Sequence, residues 1–100
     1  MLPGGIETAA WSGIPASTSS NWVGLYTPAA ADTDYISWRY TTGTASGSVP
    51  FTVPTTVTPG TYQLRLFAAN GYTLLATSGN FTVALSLAGT ATANGLPLAN

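Results

Sequence analysis

One hundred residues, 45% hydrophobic and 5% charged, suit a single folded domain around one core and are too poor in charge for a disordered chain. The charged side chains are Glu7, Asp32, Asp34, Arg39 and Arg65, giving a net charge of -1, and the chain has no His and no Cys. That inventory excludes nucleic-acid binding by phosphate neutralisation, attraction to anionic lipid, thiolate chemistry and disulfides.

Taken in chain order, the sequence reads as short strands separated by turn chemistry. The start, MLPGGIETAA, has neither the basic nor the apolar segment of a signal peptide, so Met1 is expected to begin an excised fragment of a longer protein. Residues 6–12 form a first strand, with Glu7, Ala9 and Trp11 on the face to be buried. Residues 13–20 are a Gly, Pro, Ser and Thr loop. Residues 21–26 form the next strand, with Val23 and Leu25 toward the core and Trp22 and Tyr26 away from it. After an Ala-rich loop, residues 35–41 alternate Ile36, Trp38 and Tyr40 against Tyr35, Ser37 and Arg39. There the first set is expected inside, with Trp38 as the buried core indole. Residues 49–53 are a short strand, and Pro50 marks either its start or an edge.

The stretch PGTYQLRLFAANGYTLLATSGNFTV, residues 59–83, is the most informative. Tyr62, Leu64 and Leu66 alternate with Gln63, Arg65 and Phe67 ahead of Asn70-Gly71, the dipeptide that favours a two-residue turn with φ > 0 at both positions. Pro59-Gly60-Thr61-Tyr62 has the form of a tyrosine corner, in which the Tyr hydroxyl bonds to nearby backbone. Phe81 and Val83 resume the alternation after Ser78-Gly79-Asn80. No helical period persists for the roughly 10 residues a helix needs, and no apolar run approaches the roughly 20 of a membrane span. The fold class is all-β.

The series Asn-Trp-Val-Gly-Leu-Tyr, Tyr-Ile-Ser-Trp, Pro-Gly-Thr-Tyr-Gln-Leu-Arg and Ala-Thr-Ser-x-x-Phe-Thr-Val resembles immunoglobulin-like or fibronectin-III-like modules attached to bacterial secreted hydrolases and phosphoesterases. The Trp-Val-Gly-Leu-Tyr piece is similar to the pattern of the SKICH domain. The resemblance covers residues 6–83. It implies an antiparallel immunoglobulin-like β-sandwich of about seven strands in residues 1–83, working outside the cell or at its surface as part of a larger protein. Such modules begin with one more strand than this chain offers, which leaves an expected free edge beside residues 6–12. Residues 84–100 are an extension in which Leu85, Ser86, Leu87 and Ala88 alternate as a strand does. The extension is an extra strand, a strand swapped into a neighbour, or a linker.

Catalysis is poorly provisioned. Without His or Cys no Ser-His-Asp or Cys-His arrangement can form, and two of the three carboxylates, Asp32 and Asp34, share a loop. The chain is therefore read as a non-enzyme that needs no cofactor. Asp32 and Asp34 are weak candidates for a metal and are read first as solvated loop residues or partners of Arg39 or Arg65. The ligand-binding candidates are Trp22, Tyr26, Tyr35, Arg39 and Arg65, an outward aromatic and arginine surface suited to apolar sugar faces or a protein partner. The alternative is that these rings are covered by loops, with arginine stems packed over them. Asn80-Phe81-Thr82 matches a glycosylation sequon and is read as incidental. Three functions follow: an accessory spacer or interaction module beside neighbouring domains, which is favoured; a carbohydrate-binding module for polysaccharide; and a self-assembling domain, helped by weak charge repulsion.

Overall fold

β-Branched and aromatic residues alternating with polar ones favour pleated strands, and the computed structural model, which describes residues 1–84, is built of seven. They are β1 (Ile6–Trp11), β2 (Trp22–Tyr26), β3 (Ser37–Tyr40), β4 (Gly47–Thr52), β5 (Gly60–Phe67), β6 (Leu74–Thr77) and β7 (Phe81–Val83). Among the described residues there is no helix. Residues 85–100, and with them the expected strand at Leu85 to Ala88, lie outside the described residues.

All pairings are antiparallel and fall into two sheets. One is the pair β1-β4, and the other runs β3-β2-β5-β6, with β7 joining β5 at Gly60 to Tyr62. The main core lies between them. Val23, Leu25, Tyr62, Leu64 and Leu66 come from the large sheet, and Ala9, Val49 and Phe51 from the small one. Burying this set is the principal favourable contribution to folding. Along β1 the buried side is Glu7, Ala9 and Trp11, as the alternation predicts, with Ile6 62% exposed on the other side. Trp11 closes the margin of the core and donates from Nε1 to the Thr44 carbonyl at 2.9 Å.

One local device fixes each sheet. The Tyr62 hydroxyl donates to the Thr58 carbonyl, four residues upstream, so the tyrosine corner forms as expected. Pro50 faces away from β1, and its carbonyl accepts from Arg39 Nη1 at 2.7 Å. Its nitrogen lies on that same free side, so the missing N–H costs no ladder bond.

The turn after β5 departs from the predicted one. Its positive-φ pair is Ala69 (φ 33) and Asn70 (φ 58), one residue earlier than Asn70-Gly71, and Gly71 N–H closes it onto the Ala68 carbonyl at 2.8 Å. Tertiary bonds select this register. Asn70 N–H donates to the Ser20 carbonyl at 2.9 Å, and Ala69 N–H donates to the buried Asn21 Oδ1 at 3.0 Å. A register shift between Leu66 and Phe67 absorbs the offset, so β6 starts at Leu74.

Candidate functional site

The outer face of the large sheet holds a second cluster, made of Trp22, Tyr26 and Phe67. Trp22 pairs with Phe67 across β2-β5, and their rings stack at 4.6 Å and 24°. Between Trp22 and Tyr26 on the same face stands Gly24. A Cβ there would come within 2.6 Å of Tyr26 and 2.9 Å of Trp22, so only glycine lets both rings fold down over β2.

Loop residues 27–34 seal one end of this face through Arg65, which is only 6% exposed. Its guanidinium lies 4.3 Å from the centre of the Tyr26 ring. It also donates to the Ala30 carbonyl at 2.9 Å, the Pro28 carbonyl at 3.1 Å and the Asp32 carboxylate at 2.9 Å. Turned to suit its neighbours, the Gln63 amide oxygen accepts from Arg65 Nε and Nη2 at 2.8 and 2.9 Å. Every donor direction of the fork is thus used, which is what a buried cation requires. The Tyr26 hydroxyl donates to the Asp32 carbonyl beneath the loop. Burial, and secondarily the Asp32 charge, push the Tyr26 phenol up to about 12.

At the other end the face is open. Trp22 is the floor of a cleft of about 170 Å³ walled by Tyr35, Trp38, Tyr40, Asn70 and Tyr72. Tyr35, Trp38 and Tyr72 stand over the floor ring at 73°, 77° and 86° to it, with centroids 5.7, 6.3 and 5.7 Å away. The four aromatic walls are each 43–48% exposed, while Trp22 is 6% exposed. Tyr40 donates its hydroxyl to Asn70 Oδ1 at 2.8 Å, which leaves the Asn70 amide N–H donors for other partners. Trp22 Nε1 donates to the Gly71 carbonyl at 2.9 Å, so the shifted turn and the cleft are one unit. No charged side chain lines the cleft.

These positions correct the sequence reading at β3. Ile36 and Trp38, expected in the core, are 43% and 44% exposed. Trp38 pairs with Gly24 and Arg39 with Val23, so the phase of the strand is inverted. Trp38 stands on the outer face, and no tryptophan belongs to the buried part of the main core. Arg39, expected beside Arg65 on the outer face, points to the other side and bridges to β4. Of the five ligand-binding candidates, Trp22, Tyr26, Tyr35 and Arg65 share the outer face, but only Tyr35 offers an open ring. Tyr26, Phe67 and Arg65 follow the covered alternative, with the arginine packed over the ring. Trp38, Tyr40 and Tyr72 were missed as site residues. Asp32 pairs with Arg65, and among the described residues no three His, Cys, Asp or Glu side chains gather as a metal site would require.

No protein-family model matches the chain, and no curated protein and no solved structure matches it.

Proposed function

We propose that the chain is a non-catalytic, immunoglobulin-like accessory module of a larger secreted or cell-surface protein, and that it holds one ring of a neutral polysaccharide in the aromatic cleft. The strand order supports the first half. β3-β2-β5-β6 corresponds to C′-C-F-G of such a sandwich, and β1-β4 corresponds to B-E, with the tyrosine corner at the start of F. The observation that carries the second half is a set of half-exposed aromatic rings around a buried indole with no charge among them.

Four large aromatics left half in water are a grouped apolar surface of the kind that marks binding sites. Aromatic walls attract the C–H faces of sugars, and Asn70 with the tyrosine hydroxyls supplies the polar contacts that orient them. A cleft of about 170 Å³ falls below the roughly 300–1,000 Å³ that encloses a drug-sized ligand, which favours one unit of a longer chain over a sequestered small molecule.

Affinity electrophoresis through gels containing neutral soluble glycans tests the reading. Retardation on at least one glycan is expected, with Trp38→Ala and Tyr72→Ala each weakening it about tenfold, as the loss of one aromatic contact of about 1.4 kcal/mol would. Unretarded migration on every glycan would rule out the sugar-holding role and leave a spacer.

A further inference from the structure

The opposite side of the molecule carries a larger opening. Among the described residues β1 has one strand partner, β4, so its other edge presents unpaired backbone groups. Beside that edge runs a groove of about 670 Å³, with residues 7–12 on one bank and residues 76–81 on the other. Its floor is formed by Val23, Leu64 and Leu66, which are core residues of the large sheet. Among the described residues no strand lies in the groove, which is about 20 Å long at the rise of an extended chain.

The lower end of the groove is already occupied. The Met1 α-amino group donates to the Thr82 carbonyl at 2.9 Å, and Ala84 N–H donates to the Met1 carbonyl at 2.7 Å. This is the bonding of one residue to a parallel neighbour, so β7 accepts a further strand on this side. Met1 also stands beside Ala84, where a direct reversal of the chain back into its own groove would pass.

We propose that the groove receives residues 85–88 from a second copy of this chain, exchanged reciprocally. Leu85 and Leu87 fall on one side of an extended segment and match the apolar floor, while Ser86 and Ala88 face outward. The 16 residues from 85 to 100 contain no charged side chain, so they bring no ion of their own into a groove whose bank carries Glu7, and a net charge of -1 opposes pairing of copies only weakly. Each copy gives a strand and receives one, which closes a two-fold dimer and covers the free edge of β1 in both copies.

Light scattering of the full chain over a dilution series reads the outcome. A dimer that dissociates on dilution is expected. The double variant Leu85→Asp/Leu87→Asp should weaken association by about 100-fold or more, the loss of two buried leucines. Ser86→Pro, which removes a ladder donor, should act in the same direction. Unchanged tryptophan fluorescence would show that the sandwich remains folded in each variant. A strictly monomeric wild-type chain overturns the proposal, and so does a dimer that both variants leave intact.

Discussion

The two faces of the large sheet are buried by different chemistry. On the inner face Val23, Leu25, Leu64 and Leu66 meet a second sheet, and aliphatic packing alone closes the layer. On the outer face no sheet arrives among the described residues. Trp22, Tyr26 and Phe67 are covered by loop residues and by one arginine that bonds four protein acceptors while lying on a ring. A layer sealed by loops can be left open at one end, and that open end is the cleft. The inner face supplies stability, and the outer face exchanges part of its burial for a half-exposed aromatic surface.

The sharpest way to break this contrast is to empty one side at a time. Leu25→Ala should cost about 2–5 kcal/mol in denaturant unfolding and leave glycan affinity unchanged. Phe67→Ala should cost about 3–5 kcal/mol and also reduce affinity, because Phe67 supports the Trp22 floor from below. Equal affinity in the two variants would mean that the floor does not depend on the stack. Next in size is the arginine. Arg65→Ala should cost about 2–3 kcal/mol, since it strands four loop and side-chain acceptors at once. Asp32→Asn should cost under about 1 kcal/mol, because that carboxylate is 40% exposed and solvent screens the pair. If the two variants cost the same, the ion pair and not the carbonyl bonds would be what holds the loop.

Gly24→Ala comes next, at about 1–3 kcal/mol from overpacking against Trp22 and Tyr26, with a matching loss of glycan affinity as the floor ring shifts. The same residue explains where sequence reasoning succeeded and where it failed. Period-two alternation placed Ala9, Val23, Leu25, Tyr62, Leu64 and Leu66 correctly, because Trp11 marks the inner side of β1 and the aliphatic pairs Val23/Leu25 and Leu64/Leu66 mark those of β2 and β5. In residues 35–40 both sides carry large apolar groups, and choosing the more hydrophobic set for the core put Ile36 and Trp38 on the wrong face. The usable signal was Gly24. A glycine between aromatics two residues either side marks the face over which those rings fold, and Trp38 is its cross-strand neighbour on that face. The turn was misplaced for another reason. Asn70-Gly71 is locally the best pair, yet bonds from Asn70 N–H to Ser20 and from Ala69 N–H to Asn21, far away in sequence, outweigh a preference of this size. The outer-face candidates Trp22, Tyr26 and Arg65 were placed on the correct side, but alternation carries no information about which loops cover a face.

The smallest expected effect tests whether the outer face is sealed at its closed end. Tyr26 titrates at about 12 in the folded chain and near 10 when unfolded, because burial disfavours the phenolate and Asp32 adds repulsion. Between those values the unfolded state has lost a proton that the folded state keeps. The folded state then binds more protons, and stability falls as pH rises from 10 toward about 12, whereas below 10 this group contributes its full share. Tyr26→Phe removes the titration together with one hydrogen bond to the Asp32 carbonyl. The variant should therefore be less stable than wild type below pH 10 and lose less stability above it, so the two curves converge with rising pH. Parallel curves would mean that solvent reaches the phenol beneath residues 27–34. The loop would then rest on the sheet without closing it, and the difference between the sealed and open ends of this face would disappear.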